Sequence, residues 1–155
     1  MLSSISLTRS FLSRSFASQI SSRGFAVKVG EKRYTREHEW VQLVSANEAK
    51  IGISKHAASE LGDVVYADLP DICKSFKKGE AFGSVESVKA ASSVYAPIDL
   101  EIVSINDALK EDSGIINQDA ECNGWMIQGK ISDVSSLDSL LNETDYSKFV
   151  EANKH

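Results

Sequence analysis

The sequence predicts a small, mostly β domain closed by helices at its C-terminus. Three observations carry this expectation. Runs such as "AKIGIS", "DVVYADLP" and "LEIVSIND" are rich in β-branched residues and alternate apolar with polar positions. Turn residues and breakers, including "SANE", Pro70 and Gly79, separate those runs. Beyond Ser132 the spacing lengthens, first through Val134, Leu137 and Leu141 and then through Tyr146, Phe149 and Val150, which is the spacing of a helix face. The chain of 155 residues is 42% hydrophobic and 25% charged, ordinary material for one globular domain.

Element by element, "RYTREHEWVQLV" (Arg33 to Val44) reads as one strand, and "AKIGIS" as its hairpin partner across "SANE". Ser54 is placed to cap a short helix, "KHAASEL", which Gly62 stops. "DVVYADLP" is the next strand, ended by Pro70, and "DICKSFKKG" a polar connection. Residues 86–91 contain good helix formers, but "AFGSV" before them and "SSVYAPI" after them alternate, so a hairpin with Lys89 at its bend is expected, without the usual Asn-Gly signal. "LEIVSIND" is a strand, "ALKEDSGIINQDAECNG" is helical turn and loop, and "GWMIQGKIS" is the last strand. "SDVSSLDSLLN", capped by Ser132 or Asp133, and "TDYSKFVEANK" are the terminal helices. "VYADL" at Val65 and "VYAPI" at Val94 echo one another, as two similar halves of a sandwich would.

The first residues differ from the rest. No acid precedes Glu31, while Arg9, Arg14, Arg23 and Lys28 stand among serines. That composition is expected of a mitochondrial transit peptide over residues 1–25, with a mature domain over 26–155 in the matrix. A disordered basic tail is the bland alternative, and a secretory signal fits worse because arginines interrupt any apolar core. The whole chain holds 17 basic and 22 acidic residues, net −5; without Arg9, Arg14 and Arg23 the balance is −8. Such a domain is a poor binder of nucleic acid, and no stretch has the length of apolar sequence that membrane insertion needs.

Conventional catalytic equipment is missing from the sequence. Cys73 and Cys122 show no CxxC spacing, and His38, His56 and His155 do not cluster. There is no GxSxG, HExxH or phosphate-cradling glycine loop. No catalytic residue and no metal-ligand set is expected.

What the sequence does single out is "GSVESVKAASSVYAPI", Gly83 to Ile98, where Lys89 stands among small residues. A solvated charge is the ordinary fate of one loop lysine. A reactive amine would need burial or a cationic neighbour. A covalent attachment point needs a projecting bend, rigid flanks and little bulk beside it, and this stretch offers all three.

This segment resembles the lipoyl-lysine segment of glycine cleavage system H proteins. "YTREHEWV", "IGIS", "LGDVVYADLP", "KKGEAFGSVESVKAA", "GIINQ" and "GWMI" follow that family's order and spacing over nearly the whole mature chain. Biotin carriers usually have MKM, and lipoyl domains of the 2-oxo acid dehydrogenases usually have DKA; this chain has neither. The resemblance implies a hybrid barrel-sandwich of two antiparallel sheets with short helices, two of them C-terminal. It implies a carrier rather than an enzyme, with lipoate in amide linkage to Lys89. Glycine decarboxylase, a pyridoxal phosphate enzyme, would load an aminomethyl group. Aminomethyltransferase would pass the one-carbon unit to tetrahydrofolate, and dihydrolipoamide dehydrogenase would reoxidise the dithiol. Lipoate-attaching enzymes would be further partners, with Glu86 as a recognition candidate. Glu39 and Ser93 are the candidates for the cleft that shelters the arm, with Glu39 as partner of the cargo amine. In a regular strand, His38 would face away from Glu39 and be structural.

The sequence departs from the family pattern at Asp99 and Leu100, where a small residue and glycine are usual, at Ser93, often aspartate, and at Ala120, commonly proline. Two alternatives stand beside the carrier: a non-lipoylated interaction module of the same fold, and a relay of lipoate to other lipoate-dependent enzymes.

Overall fold

A computed structural model describes residues 27–154; the leader expected over residues 1–25 lies outside them. Among the described residues, nine strands form two antiparallel sheets. β1 (Lys32–Tyr34), β2 (Glu39–Leu43), β3 (Glu48–Ile53), β9 (Ile127–Lys130), β8 (Leu100–Ile105) and β5 (Ser75–Phe76) make a six-stranded sheet in that order. β4 (Val64–Asp68), β6 (Ala81–Ser87) and β7 (Ala91–Tyr95) make a three-stranded one, with β6 in the middle. The intervening helices are α1 (Lys55–Leu61), α2 (Ala108–Glu111) and α3 (Ile115–Asp119). A 3₁₀ turn (Val134–Ser139) and α4 (Glu143–Ala152) follow β9.

Alternation explains how the sheets meet. Val41, Leu43, Ile51 and Ile53 of the large sheet join Ala67, Phe82, Val85 and Val94 of the small one in a single buried cluster. Each fully buried Val, Leu, Ile or Phe contributes about 1.5–3 kcal/mol. A second cluster lies where α4 covers the β1–β2 end: Tyr34, Trp40 and Tyr146 are buried, with the Tyr34 and Tyr146 rings stacked at 4.3 Å. Trp40 stands opposite Gly52 in the β2–β3 register, and a Cβ on Gly52 would meet the indole at 3.0 Å. The indole N–H donates to the Ala120 carbonyl at 3.0 Å.

The predicted helix over "KHAASEL" forms with the predicted ends. The Ser54 hydroxyl accepts from Ala57 N–H at 3.1 Å, and Gly62 closes the helix at φ 80°, ψ −155°. Lys89 lies at the bend of a hairpin, as expected, between β6 and β7. The Asp99–Leu100 departure needs no left-handed backbone; the Asp99 carboxylate accepts Lys78 N–H at 2.7 Å.

Four expectations are corrected. Arg33 to Val44 is two strands, not one. Thr35 N–H donates to the Glu39 carbonyl and His38 N–H to the Thr35 carbonyl, and His38 adopts φ 74°, so the chain turns back and Tyr34 pairs with Trp40. The polar connection after Pro70 contains β5, which pairs with β8. The first terminal helix is a 3₁₀ turn without a side-chain cap, and Leu141 falls outside it, bridging to Tyr34. The two echoes, "VYADL" and "VYAPI", flank β6 in one sheet rather than occupying two; an irregularity between Val64 and Tyr66 leaves Val65 exposed where Val94 is buried.

Candidate functional site

Lys89 occupies the tip that β6 and β7 leave between Ser87 and Ala91. Glu86 pairs with Ala91 and Val85 with Ser92, so both arms are held by the ladder up to the bend. Ser87 supplies the turn chemistry that Asn-Gly would have supplied. Its hydroxyl accepts from Lys89 N–H at 3.3 Å and Ala90 N–H at 3.0 Å, while its own N–H donates to the Ala90 carbonyl at 2.7 Å. Val88 N–H donates to the Asp63 carbonyl at 3.0 Å, tying the tip to the loop after α1. Lys89 itself is exposed, and among the described residues it enters no ion pair.

The lysine stem lies over Gly62. A Cβ on Gly62 would come to 3.5 Å from Lys89 Cε, an ordinary contact, so the far end of the stem lies against this residue. The backbone there, φ 80° with ψ −155°, is a conformation that essentially only glycine adopts. Gly62→Ala is expected to lower stability by about 1–3 kcal/mol and to slow acylation of Lys89. Thermal melting, read beside a timed lipoylation assay, checks both effects.

A groove of about 530 Å³ lies between the two sheets and α1, and neither Lys89 nor Gly62 is among its lining residues. Ala57 and Leu61 of α1 form part of its wall, and Leu61 immediately precedes Gly62. Glu39, Ile53, Ser92 and Ser93 line it from the two sheets. The structure thus brings Glu39 and Ser93 into one groove. Ser93 is exposed and pairs with Ser84; in the strand's alternation it shares a face with Tyr95, while Ser92 shares one with buried Val94. Glu86 does not line the groove. It is exposed on the small sheet between Tyr66 and Ala91, near exposed Tyr66 and Val88. A larger cleft of about 880 Å³, lined by Tyr34, Glu121, Glu143 and Tyr146 among others, includes none of the predicted site residues.

Glu39 is buried, with 3% of its surface exposed. The Thr35 hydroxyl donates to Oε1 at 2.6 Å and Tyr95 N–H to Oε2 at 3.3 Å. Burial pushes the carboxyl above the ordinary glutamate value, and those two donors pull it part of the way back. Each carboxylate oxygen retains a lone pair beyond the bond it accepts. Thr35 and the Tyr95 amide are parts of this site that sequence reasoning did not find. Thr35 lies four positions from Glu39, a spacing that means nothing until the chain turns.

His38 does not face away from Glu39; both line the groove, because the turn at φ 74° replaces the regular strand. His38 Nδ1 and the Tyr146 hydroxyl are hydrogen-bonded at 2.7 Å, and that hydroxyl also lies 2.7 Å from Ser54 Oγ. Burial, and then the nearby His56, hold the His38 pKa below its usual value. His38 therefore joins the β1–β2 turn, the α1 cap and α4. Among the described residues no group of three or more His, Cys, Asp or Glu side chains could hold a metal ion, and both cysteines are free and exposed. No described helix is long and apolar enough to cross a membrane.

Two antiparallel sheets that hold an exposed lysine at the tip of a hairpin are the scaffold of a cofactor-carrying domain. Residues 32–153 match the family model described as glycine cleavage H-protein, and the chain belongs to that family, whose members are carrier subunits rather than catalysts. The glycine cleavage system H protein of Thermotoga maritima is 47% identical over 118 residues, 76% of this chain and 94% of the relative. The protein named glycine cleavage system H protein 2, mitochondrial, of Arabidopsis thaliana is 40% identical over 133 residues, 85% of each chain. The crystal structure of a glycine cleavage system H protein from Mycobacterium marinum superposes with a TM-score of 0.69 at 29% identity, covering 81% of this chain and 98% of that one.

Proposed function

We propose that this protein is the lipoyl-bearing shuttle of a glycine cleavage system, with Lys89 as the attachment residue. The observation that carries the reading is the exposed, unpaired Lys89 at the tip of a hairpin whose geometry its own side chain does not support. The residues present fit lipoate: the amine is exposed at the hairpin tip, and Leu61, next to Gly62 beneath the lysine stem, lines a groove that also holds Glu39 and Ser93. Bound there through an amide, lipoate supplies the disulfide and dithiol chemistry that carries a one-carbon unit between enzymes.

The chain's own residues position and shelter. The β6–β7 ladder and Ser87 hold the root of the arm rigid. The buried Glu39 carboxylate faces the groove with lone pairs available to a cationic amine, and Ser93 lines the same groove, as do Glu37 and Glu60. Partners in this reading are glycine decarboxylase, aminomethyltransferase and dihydrolipoamide dehydrogenase. Lipoate-attaching enzymes would dock on the small sheet, where Glu86 stands three residues before Lys89, beside Tyr66 and Val88.

Residues 1–25 serve in this reading as a mitochondrial leader and residues 26–155 as the mature matrix protein. The arginine-rich, acid-free composition supports this, as does the word mitochondrial in the Arabidopsis relative's name. Intact-mass measurement on protein recovered from mitochondria tests modification and processing together. The expected mass is that of a chain beginning near Ala26 and bearing one lipoyl group; an unmodified mass from lipoate-replete cells counts against the carrier.

A further inference from the structure

We propose that Asn117 is a positioning residue for Lys89: its side-chain amide grips both ends of the Gly62–Val64 loop on which the lysine hairpin is tied. The proposal rests on the reading of Lys89 as the lipoyl attachment site. Asn117 lies on α3, which is fixed to the core through the fully buried Ile116. Its Oδ1 accepts from Val64 N–H at 2.8 Å, and its Nδ2 donates to the Gly62 carbonyl at 2.8 Å. Between those two contacts stands Asp63, whose carbonyl accepts from Val88 N–H, one residue before Lys89. Gly62 also forms the floor beneath the lysine stem.

The side-chain amide offers an acceptor and a donor on one planar group, and each atom meets the backbone group it can serve. An aspartate would keep the Val64 bond but set a carboxylate against the Gly62 carbonyl. The grip is needed because Gly62, without a side chain, leaves the loop more freedom than any other residue would. Asn117 is itself exposed, so it adds little to the core. Its effect passes through the loop to the direction in which Lys89 leaves the protein, and hence to how an acylating enzyme meets the amine and how the arm enters the groove.

Asn106 separates positioning from mere support. Its Nδ2 donates to the carbonyls of Asn123 and Trp125, both at 2.8 Å, and its Oδ1 accepts from Ala108 N–H at 3.3 Å. It is more buried than Asn117, and none of these partners belongs to the hairpin or to the Gly62–Val64 loop.

The experiment compares wild type, Asn117→Ala, Asn117→Asp and Asn106→Ala. Lipoylation is followed by intact mass with a lipoate–protein ligase, lipoate and ATP, and amide exchange is followed at Val88. Asn117→Ala is expected to lower kcat/KM for lipoylation about fivefold or more, the worth of roughly one hydrogen bond, and to speed Val88 exchange. Asn117→Asp should do the same in smaller measure. Asn106→Ala should melt at least as early as Asn117→Ala yet keep the wild-type lipoylation rate and Val88 exchange. Wild-type lipoylation and exchange in Asn117→Ala, or equal slowing in Asn106→Ala, overturns the assignment while leaving the carrier reading intact. A wild-type chain that accepts no lipoate overturns both.

Discussion

Lys89→Arg is expected to yield a folded protein that carries no lipoate and supports no glycine oxidation. The substitution keeps the positive charge and most of the stem, but a guanidinium stays protonated and offers no amine to acylate. Folding should be untouched. The bend is held by Ser87 Oγ, by the backbone N–H groups of Val88, Lys89 and Ala90, and by the ladder on either side, none of which uses the lysine amine. The thermal midpoint should therefore match wild type, while the intact mass shows no adduct and glycine-dependent CO₂ release in a reconstituted system falls to background. Wild-type glycine oxidation by this variant would remove the attachment site from Lys89.

The second large effect concerns the buried carboxylate. Glu39→Gln should speed spontaneous loss of the aminomethyl cargo from the loaded protein by about tenfold or more, since a hydrogen bond to a charged group contributes about 1.5–3 kcal/mol and about 1.4 kcal/mol is a factor of ten. The substitution is nearly isosteric, and glutamine can keep both contacts: its Oε1 accepts from Tyr95 N–H while its Nε2 donates to Thr35 Oγ1. Ammonia release without aminomethyltransferase or folate reads the decay. Ser93→Asp, which adds a carboxylate to the groove, should slow it. Decay at the wild-type rate in Glu39→Gln would remove Glu39 from the arm-sheltering role.

Stability should move the other way. Burial raises the folded pKa of Glu39 above its unfolded value, so the folded state holds this proton more tightly than the unfolded chain does. Ionised Glu39 then costs stability at every pH above the raised pKa. That cost diminishes as pH falls through it and is gone below the ordinary glutamate value. Glu39→Gln should accordingly melt at or above the wild-type temperature at neutral pH, with the gap closing under acid. A variant that melts lower at neutral pH and converges only on raising the pH would contradict the sign.

Much of this protein was legible in its sequence, for reasons that are local. The α1 helix could be read to the residue because its ends are set by one hydroxyl and one glycine adjacent in the chain, Ser54 and Gly62. Strands such as β8 and β9 were legible because one face is the more buried, so the alternation is written into residue type, as in Leu100, Ile102 and Ile127. Lys89 stood out because its neighbours in sequence are small. The bend itself carried a signal, Ser87 two residues before the lysine, in place of the glycine that such bends usually advertise.

The tertiary structure alone decided the rest, because it depends on backbone conformation or on pairs distant in sequence. His38 adopts φ 74° without being glycine, so nothing in its identity announces that Arg33 to Val44 turns back on itself. That turn lets Thr35 reach Glu39 and puts His38 and Glu39 in one groove. One of the two donors to the Glu39 carboxylate, Tyr95 N–H, comes from β7, 56 residues later. Asn117 reaches Gly62 and Val64 across 55 and 53 residues, and only the packing of α3 beside α1 brings them together. The sequence by itself determined that there is a mostly β scaffold with a lysine among small residues at a hairpin bend, because alternation, caps and small neighbours are written locally. What surrounds that lysine was decided by the fold, since hydrogen bonds between distant residues leave no periodic trace along the chain.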